Sequence, residues 1–188
     1  MSMLHTLAAR RSIKADQLTL PAPAGETLAD ILQSAMSAPD HGGIKPWHFL
    51  VIEGDAREQL GDLFAKVLRD IKPDATIQEQ AVARGKALRA PLVVAICART
   101  KPHPKVPEIE QVLTVAMGAE NILLAAQSLG YGAVLLTGGP AYHPIVKQGL
   151  GLGDGDHIVG FLHMGTAKEE PLRKERPNAS DFTQSWPG

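Results

Sequence analysis

Three cations and a hydroxyl stand within five residues at Arg10-Arg11-Ser12-Ile13-Lys14. Arginine offers a planar fork of N–H donors to oxyanions and serine adds a compact donor, so the pentapeptide has the make-up of a phosphate clamp. The same run reads as a solvated charged face, and only a second anion contact elsewhere in the fold separates the two. A second candidate is "APDHGGIKPWHFLVIEG", residues 38 to 54. Pro39 stops the preceding helix, Gly42 and Gly43 allow backbone shapes other residues avoid, and Pro46 sets the start of a strand. Such a loop can lie against a flat ligand, or be a plain connection in which His41 and His48 are ordinary histidines. The third is "LGYGAVLLTGGPAY", residues 129 to 142, where a strand runs into Thr137-Gly138-Gly139-Pro140. Glycines there leave backbone N–H groups free to face a ligand, and Pro140 suits the first turn of a helix.

These residues need a scaffold. Stretches 47–53, 92–98, 131–136 and 157–165 cluster β-branched or aromatic residues between Gly, Pro or charged boundaries and read as strands. Between residues 25 and 38, Leu28, Ile31, Leu32, Ala35 and Met36 recur on one helix face, and a cleaner pattern covers 55–71, with Asp55 and Glu58 as a capping pair. Residues 72–90 are charged and broken by proline, with a weak helical pattern from 76 to 88, and read as an exposed excursion. In "PEIEQVLTVAMGAENILLAAQSLG", positions 111, 114, 118 and 121 form a narrow polar or small stripe on an otherwise apolar helix. Such a helix is buried on several sides, either by a second subunit or by its own chain. The tail from 166 to 188 is proline-rich with little apolar periodicity, so it forms no core element of its own.

The 188 residues fit a single domain spanning 1–188. A net charge of −1 gives no electrostatic reason to expect nucleic acid or anionic lipid. No apolar run approaches the roughly 18 residues of a membrane span, and the opening apolar segment is too short for a signal peptide, so a cytoplasmic protein without a membrane partner is expected. The single cysteine, Cys97, lies in an apolar run and reads as a small buried hydrophobe. "GLGLGDGD" at 149–156 never satisfies G-x-G-x-x-G, and the histidines show no metal-ligand spacing.

Taken in order, Arg10-Arg11-Ser12, Pro39-Asp40-His41 with Pro46-Trp47-His48-Phe49, Leu129-Gly130-Tyr131-Gly132 with Thr137-Gly138, and Val159-Gly160-Phe161-Leu162-His163-Met164-Gly165 resemble the nitroreductase family, nearly end to end. The likeness is to its compact branch, little longer than the FMN-binding core. It implies an α+β sandwich with a mostly antiparallel sheet between helices, an intertwined homodimer, and two FMN sites built from both chains. By the same resemblance Arg10, Arg11 and Ser12 hold the phosphate and ribityl chain. Lys14 sits near the flavin N1 and C2 carbonyl, and Lys174 and Arg176 match a K-x-R pattern of further phosphate contacts. Ser37, Pro39 and His41 come from the partner chain, while Leu135, Leu136 and Thr137 pass over the other side of the ring, with the Thr137 or Gly138 N–H at N5. The helix over 107–129 becomes dimer core and the tail lies on the other subunit.

Two departures stand out: Ser37 occupies a position where a basic residue is common, and "LLTG" replaces a Trp-Arg-Ser-Gly-like segment, leaving no arginine at 136. The activity implied is an FMN-dependent NAD(P)H oxidoreductase working by ping-pong hydride transfer from NADH or NADPH, through flavin N5, to a nitroaromatic, quinone or similar flat acceptor. The flavin carries the chemistry, so no catalytic acid, base or nucleophile is named. A flavin-binding or storage module without turnover is the competing reading, and a scattered histidine metal site a remote one.

Overall fold

A computed structural model of the chain describes residues 2–170 and 175–188. Its strands are β1 (Leu18–Thr19), β2 (Trp47–Glu53), β3 (Leu92–Arg99), β4 (Gly132–Leu136) and β5 (Asp156–Ala167). β5 pairs with β3, β4 and β1, β3 pairs in turn with β2, and each of these pairings is antiparallel. The strands expected from β-branched clustering all form, within a residue or two at their ends; the two-residue β1 was not legible.

From Leu92 to Ala98 every side chain of β3 is buried, so this strand is covered on both faces. Leu92, Val94, Ile96 and Ala98 pack with Ile31 of α2 (Gly25–Gln33) and with Val115, Ala119 and Ile122 of α5 (Glu108–Ser128). Val93, Ala95 and Cys97 pack with Leu60, Phe64 and Val67 of α3 (Ala56–Ile71). Period-two alternation thus divides the apolar residues between two helical layers, the sandwich that the family resemblance implied. Cys97 is fully buried and burial pushes its thiol pKa up to about 12, so it stays protonated and inert.

Several local readings need correction. Asp55 makes no capping hydrogen bond. Glu58 instead pairs with Arg84 at 3.0 Å, and Asp62 takes the Arg84 Nε at 2.6 Å. The cap in this region is the Thr76–Glu79 box that opens α4 (Ile77–Gly85). Residues 72–90 are therefore no loose excursion: α4 lies so close on α3 that a Cβ at Gly61 would meet the Arg84 carbonyl oxygen at 2.6 Å.

α5 departs further. By length and composition it could cross a membrane, contrary to the reading that no run is long enough, but it packs on the sheet through Val115, Ala119, Ile122 and Ala126. Its polar stripe faces inward, with Gln111 and Thr114 buried, while Ile109, Leu113 and Met117 are 61%, 51% and 42% exposed.

Candidate functional site

Arg10–Lys14 follows α1 (Met3–Ala9) as a segment stitched to the sheet, where the Ile13 N–H donates to the Ala133 carbonyl of β4 at 3.0 Å. α5 holds it from the other side. Gln127 Oε1 accepts from the Arg11 N–H at 3.1 Å, and Glu120 pairs with the Arg10 Nε at 3.0 Å. The Arg11 side chain curls back to the carbonyls of Ala8 and Arg10 at 2.6 and 2.8 Å, and Arg10 Nη1 reaches the Ser12 hydroxyl at 3.4 Å.

Arg10, Arg11, Ser12 and Lys14 line a cleft of about 530 Å³ together with Arg176, whose guanidinium donates to the Arg10 carbonyl from 166 residues away. Arg176 is thus a cation remote in sequence that joins the pentapeptide at this cleft. Asp16, Glu169 and Glu170 share the lining, so the cleft sets three carboxylates beside these cations. Lys174 lies outside the described residues.

Ser37, Pro39 and His41 are placed along α5 between Glu110 and Asn121. Thr114 donates to the Pro39 carbonyl at 3.0 Å, Asn121 donates to the Ser37 hydroxyl at 3.2 Å, and His41 Nδ1 lies 2.6 Å from Glu110 Oε2. Two members of the polar stripe of α5, Thr114 and Asn121, thus anchor this loop. Asp40, not singled out in the sequence, shapes the turn by accepting from the N–H groups of Ile44 and Lys45 at 3.1 and 2.8 Å. Among the described residues, the two clefts lined by Arg10 include none of Ser37, Pro39 or His41.

The third segment divides by strand alternation. Leu135 packs toward the α5 layer, while Leu136, 39% exposed, turns to the opposite face. Gly138 has φ +100°, a conformation suited to glycine, and it caps the short α6 (Gly139–Tyr142), with Pro140 in the first turn as expected. Leu136, Thr137 and Gly138 line a cavity of about 140 Å³ with Lys86, Arg89 and His163. Sequence reasoning missed those last three. Lys86 and Arg89 sit in the stretch read as an exposed excursion, whereas His163 is one polar residue in the apolar strand β5. His163 is 3% exposed, and burial together with the Arg89 charge lowers its pKa to about 4.

The family model for the nitroreductase family matches residues 7–166, spanning every strand and all three of these segments apart from Arg176. The chain belongs to the nitroreductase family. It is 38% identical over 168 residues to YdjA of Escherichia coli, a protein assigned as an NAD(P)H nitroreductase, with 88% of each chain covered. Among solved structures, a nitroreductase-like family protein from Bacillus cereus superposes with a TM-score of 0.84 at 26% identity, covering 100% of this chain and 97% of that one. An FMN-dependent nitroreductase from Clostridium difficile shares the fold, with a TM-score of 0.67, 20% identity and 99% of each chain covered. In this member of the family the arginine segment and the Thr137 turn lie at the two ends of β4. Ala133 and Thr137 are about 14 Å apart at the usual rise of an extended strand.

Proposed function

We propose that the chain is an FMN-dependent NAD(P)H oxidoreductase, acting in the cytoplasm as an intertwined homodimer with a flavin site at each of two chain boundaries. The observation that carries this reading is the meeting of Arg10, Arg11, Ser12, Lys14 and Arg176 around one cleft in a chain of the nitroreductase family. The names of YdjA and of the Clostridium difficile enzyme support the nicotinamide donor and the flavin respectively.

The residues present fit the group. Guanidinium groups at one end of β4 suit a phosphate, and the cavity at the other end presents Lys86, Arg89 and His163 with no carboxylate among its described lining residues, which suits an oxygen-bearing ring edge. Bound FMN would supply hydride exchange at N5, from NADH or NADPH to a nitroaromatic, quinone or similar flat acceptor in alternating turns. The chain's own part is to hold and orient. Arg10, Arg11 and Arg176 would take the phosphate, Ser12 the ribityl chain, and Lys14 with Lys86 would place positive charge at the pyrimidine edge. The N–H groups of Thr137 and Gly138 would serve N5.

Ser37, Pro39 and His41 would face the flavin of a second copy, a reading supported by their absence from the described lining of both clefts at Arg10. Ile109, Leu113 and Met117 form the unpaired face such a copy would cover, and the tail, with Phe182 79% and Trp186 88% exposed, would lie across it.

Purified protein incubated with FMN and desalted should keep the visible bands of bound flavin. Those bands should bleach when NADH or NADPH is added without oxygen, and return when a quinone follows. Uptake without bleaching would leave a flavin-binding module. A protein that retains no FMN overturns the reading.

A further inference from the structure

His163 is spent on nothing in the fold. It stands on β5 between Val93 of β3 and Val134 of β4, yet its Nδ1 is sealed from solvent with no hydrogen-bond partner among the described residues. A buried polar atom left unpaired costs free energy that an apolar residue of similar shape would avoid, so the imidazole is a liability unless something else engages it. The ring lines the cavity beneath Thr137 and Gly138, which leaves Nε2 as the nitrogen able to serve that space.

The cavity narrows the choice of ligand. At about 140 Å³ it admits the edge of a ring but not a whole flavin. Lys86 and Arg89 on its wall can only donate hydrogen bonds. A neutral imidazole with no acceptor for Nδ1 is best protonated on Nε2, which adds a further donor without adding charge. Donors converging on one small space call for carbonyl or anionic oxygen.

We propose that His163 is a positioning residue of the cofactor site, donating through Nε2 to a carbonyl oxygen on the ring edge seated beside Thr137 and Gly138, and so favouring the reduced, more negative ring. The inference rests on the flavin reading above. It adds a residue to which the family resemblance gave no role. A neutral donor strengthens as negative charge builds on the oxygen it serves, whereas Lys86 and Arg89 supply the fixed positive field.

The test compares wild type with His163→Phe and His163→Gln. Phenylalanine fills the space without a donor. It should weaken FMN binding roughly three- to tenfold, the scale of one lost hydrogen bond. It should also move the flavin midpoint potential to more negative values by up to about 30 mV, the two-electron equivalent of a tenfold preference between oxidised and reduced ring. The FMN-free Phe variant should melt no lower than wild type, because an unpaired buried nitrogen has been removed; a histidine kept for packing alone would lower the melting point and leave the potential unmoved. Glutamine restores a donor and should return FMN affinity to within about twofold of wild type.

In the wild-type protein, with no substitution, the His163 nitrogen NMR signals should shift on FMN addition. Wild-type protein that fails to bind FMN sinks the flavin reading itself. Normal FMN binding with an unchanged potential in His163→Phe, or unmoved His163 signals in wild type, sinks this inference alone.

Discussion

Acid should destabilise this protein through the same buried imidazole, by an amount its surroundings set. His163 is 3% exposed, and burial plus the neighbouring Arg89 hold its pKa to about 4, against 6.5 for an unperturbed histidine. Between those values the unfolded chain binds a proton that the folded chain refuses. The stability tied to this group is therefore complete above the unfolded value, falls as pH drops through the window, and levels off below the folded value. At about 1.4 kcal/mol per pH unit across that window, the full loss is about 3 kcal/mol. Replacing His163 with Phe removes the titration and keeps a flat ring at the site. Urea unfolding of FMN-free wild type and variant, at one protein concentration, would be measured at about pH 7.5, 5.5 and 4. Carboxylates common to both proteins cancel in the difference, which should widen by about 3 kcal/mol in favour of the variant from the highest pH to the lowest. Parallel stability curves would show that the imidazole is not held neutral, and would remove the basis for treating it as a neutral donor.

Two further outcomes follow from α5. Leu113→Glu combined with Met117→Glu should leave a folded monomer by sedimentation, with FMN retention lost; about half of each side chain remains to be buried, about 1 kcal/mol apiece and about 4 kcal/mol for a symmetric pair, or roughly a thousandfold in dimer affinity. Gln111→Leu should cost about 3 kcal/mol in urea unfolding, because the amide, 1% exposed, bonds both the N–H and the carbonyl of Lys101 and the carbonyl of Val106; a loss below about 1 kcal/mol would show that it does not clamp this loop.

The parts of the fold legible in the sequence were those whose signal is local. Arg10–Lys14 keeps its cations within five residues, and β3 announces itself by an unbroken apolar run, so neither needed long-range knowledge. Thr76 and Glu79 carried a cap signature equally local, but Pro73 and the surrounding charge drew the reading toward an exposed loop. The contribution of Lys86, Arg89 and His163 could not be read the same way. Their cavity joins the turn after α4, the end of β4 and the middle of β5, and only the antiparallel pairing of β4 with β5 brings Thr137 near His163. A usable clue existed: period-two alternation puts His163 on the face of Phe161, where an imidazole has no evident reason to be.

α5 shows why a reversed pattern is informative. A helix that turns Gln111, Thr114 and Asn121 toward its own chain has spent its polar groups on the 101–106 loop, Pro39 and Ser37, leaving Ile109, Leu113 and Met117 outward. Glu110, Thr114 and Asn121 hold the 37–41 loop, while Glu120 and Gln127 hold the arginine segment, so the two sets of anchors meet at Glu120 and Asn121. Ten residues separate Glu110 from Glu120, about 15 Å of helix axis. Under two-fold symmetry the contact must be self-complementary, so two copies of α5 that meet antiparallel through an axis near Met117 set the Glu110 end of one beside the Glu120–Leu124 stretch of the other. That arrangement would carry a partner's His41 loop toward the cleft of Arg10 and Arg11. In the proposed dimer, α5 would spend its polar side on its own loops and its apolar side on its copy, so that one helix would serve half of each of two sites.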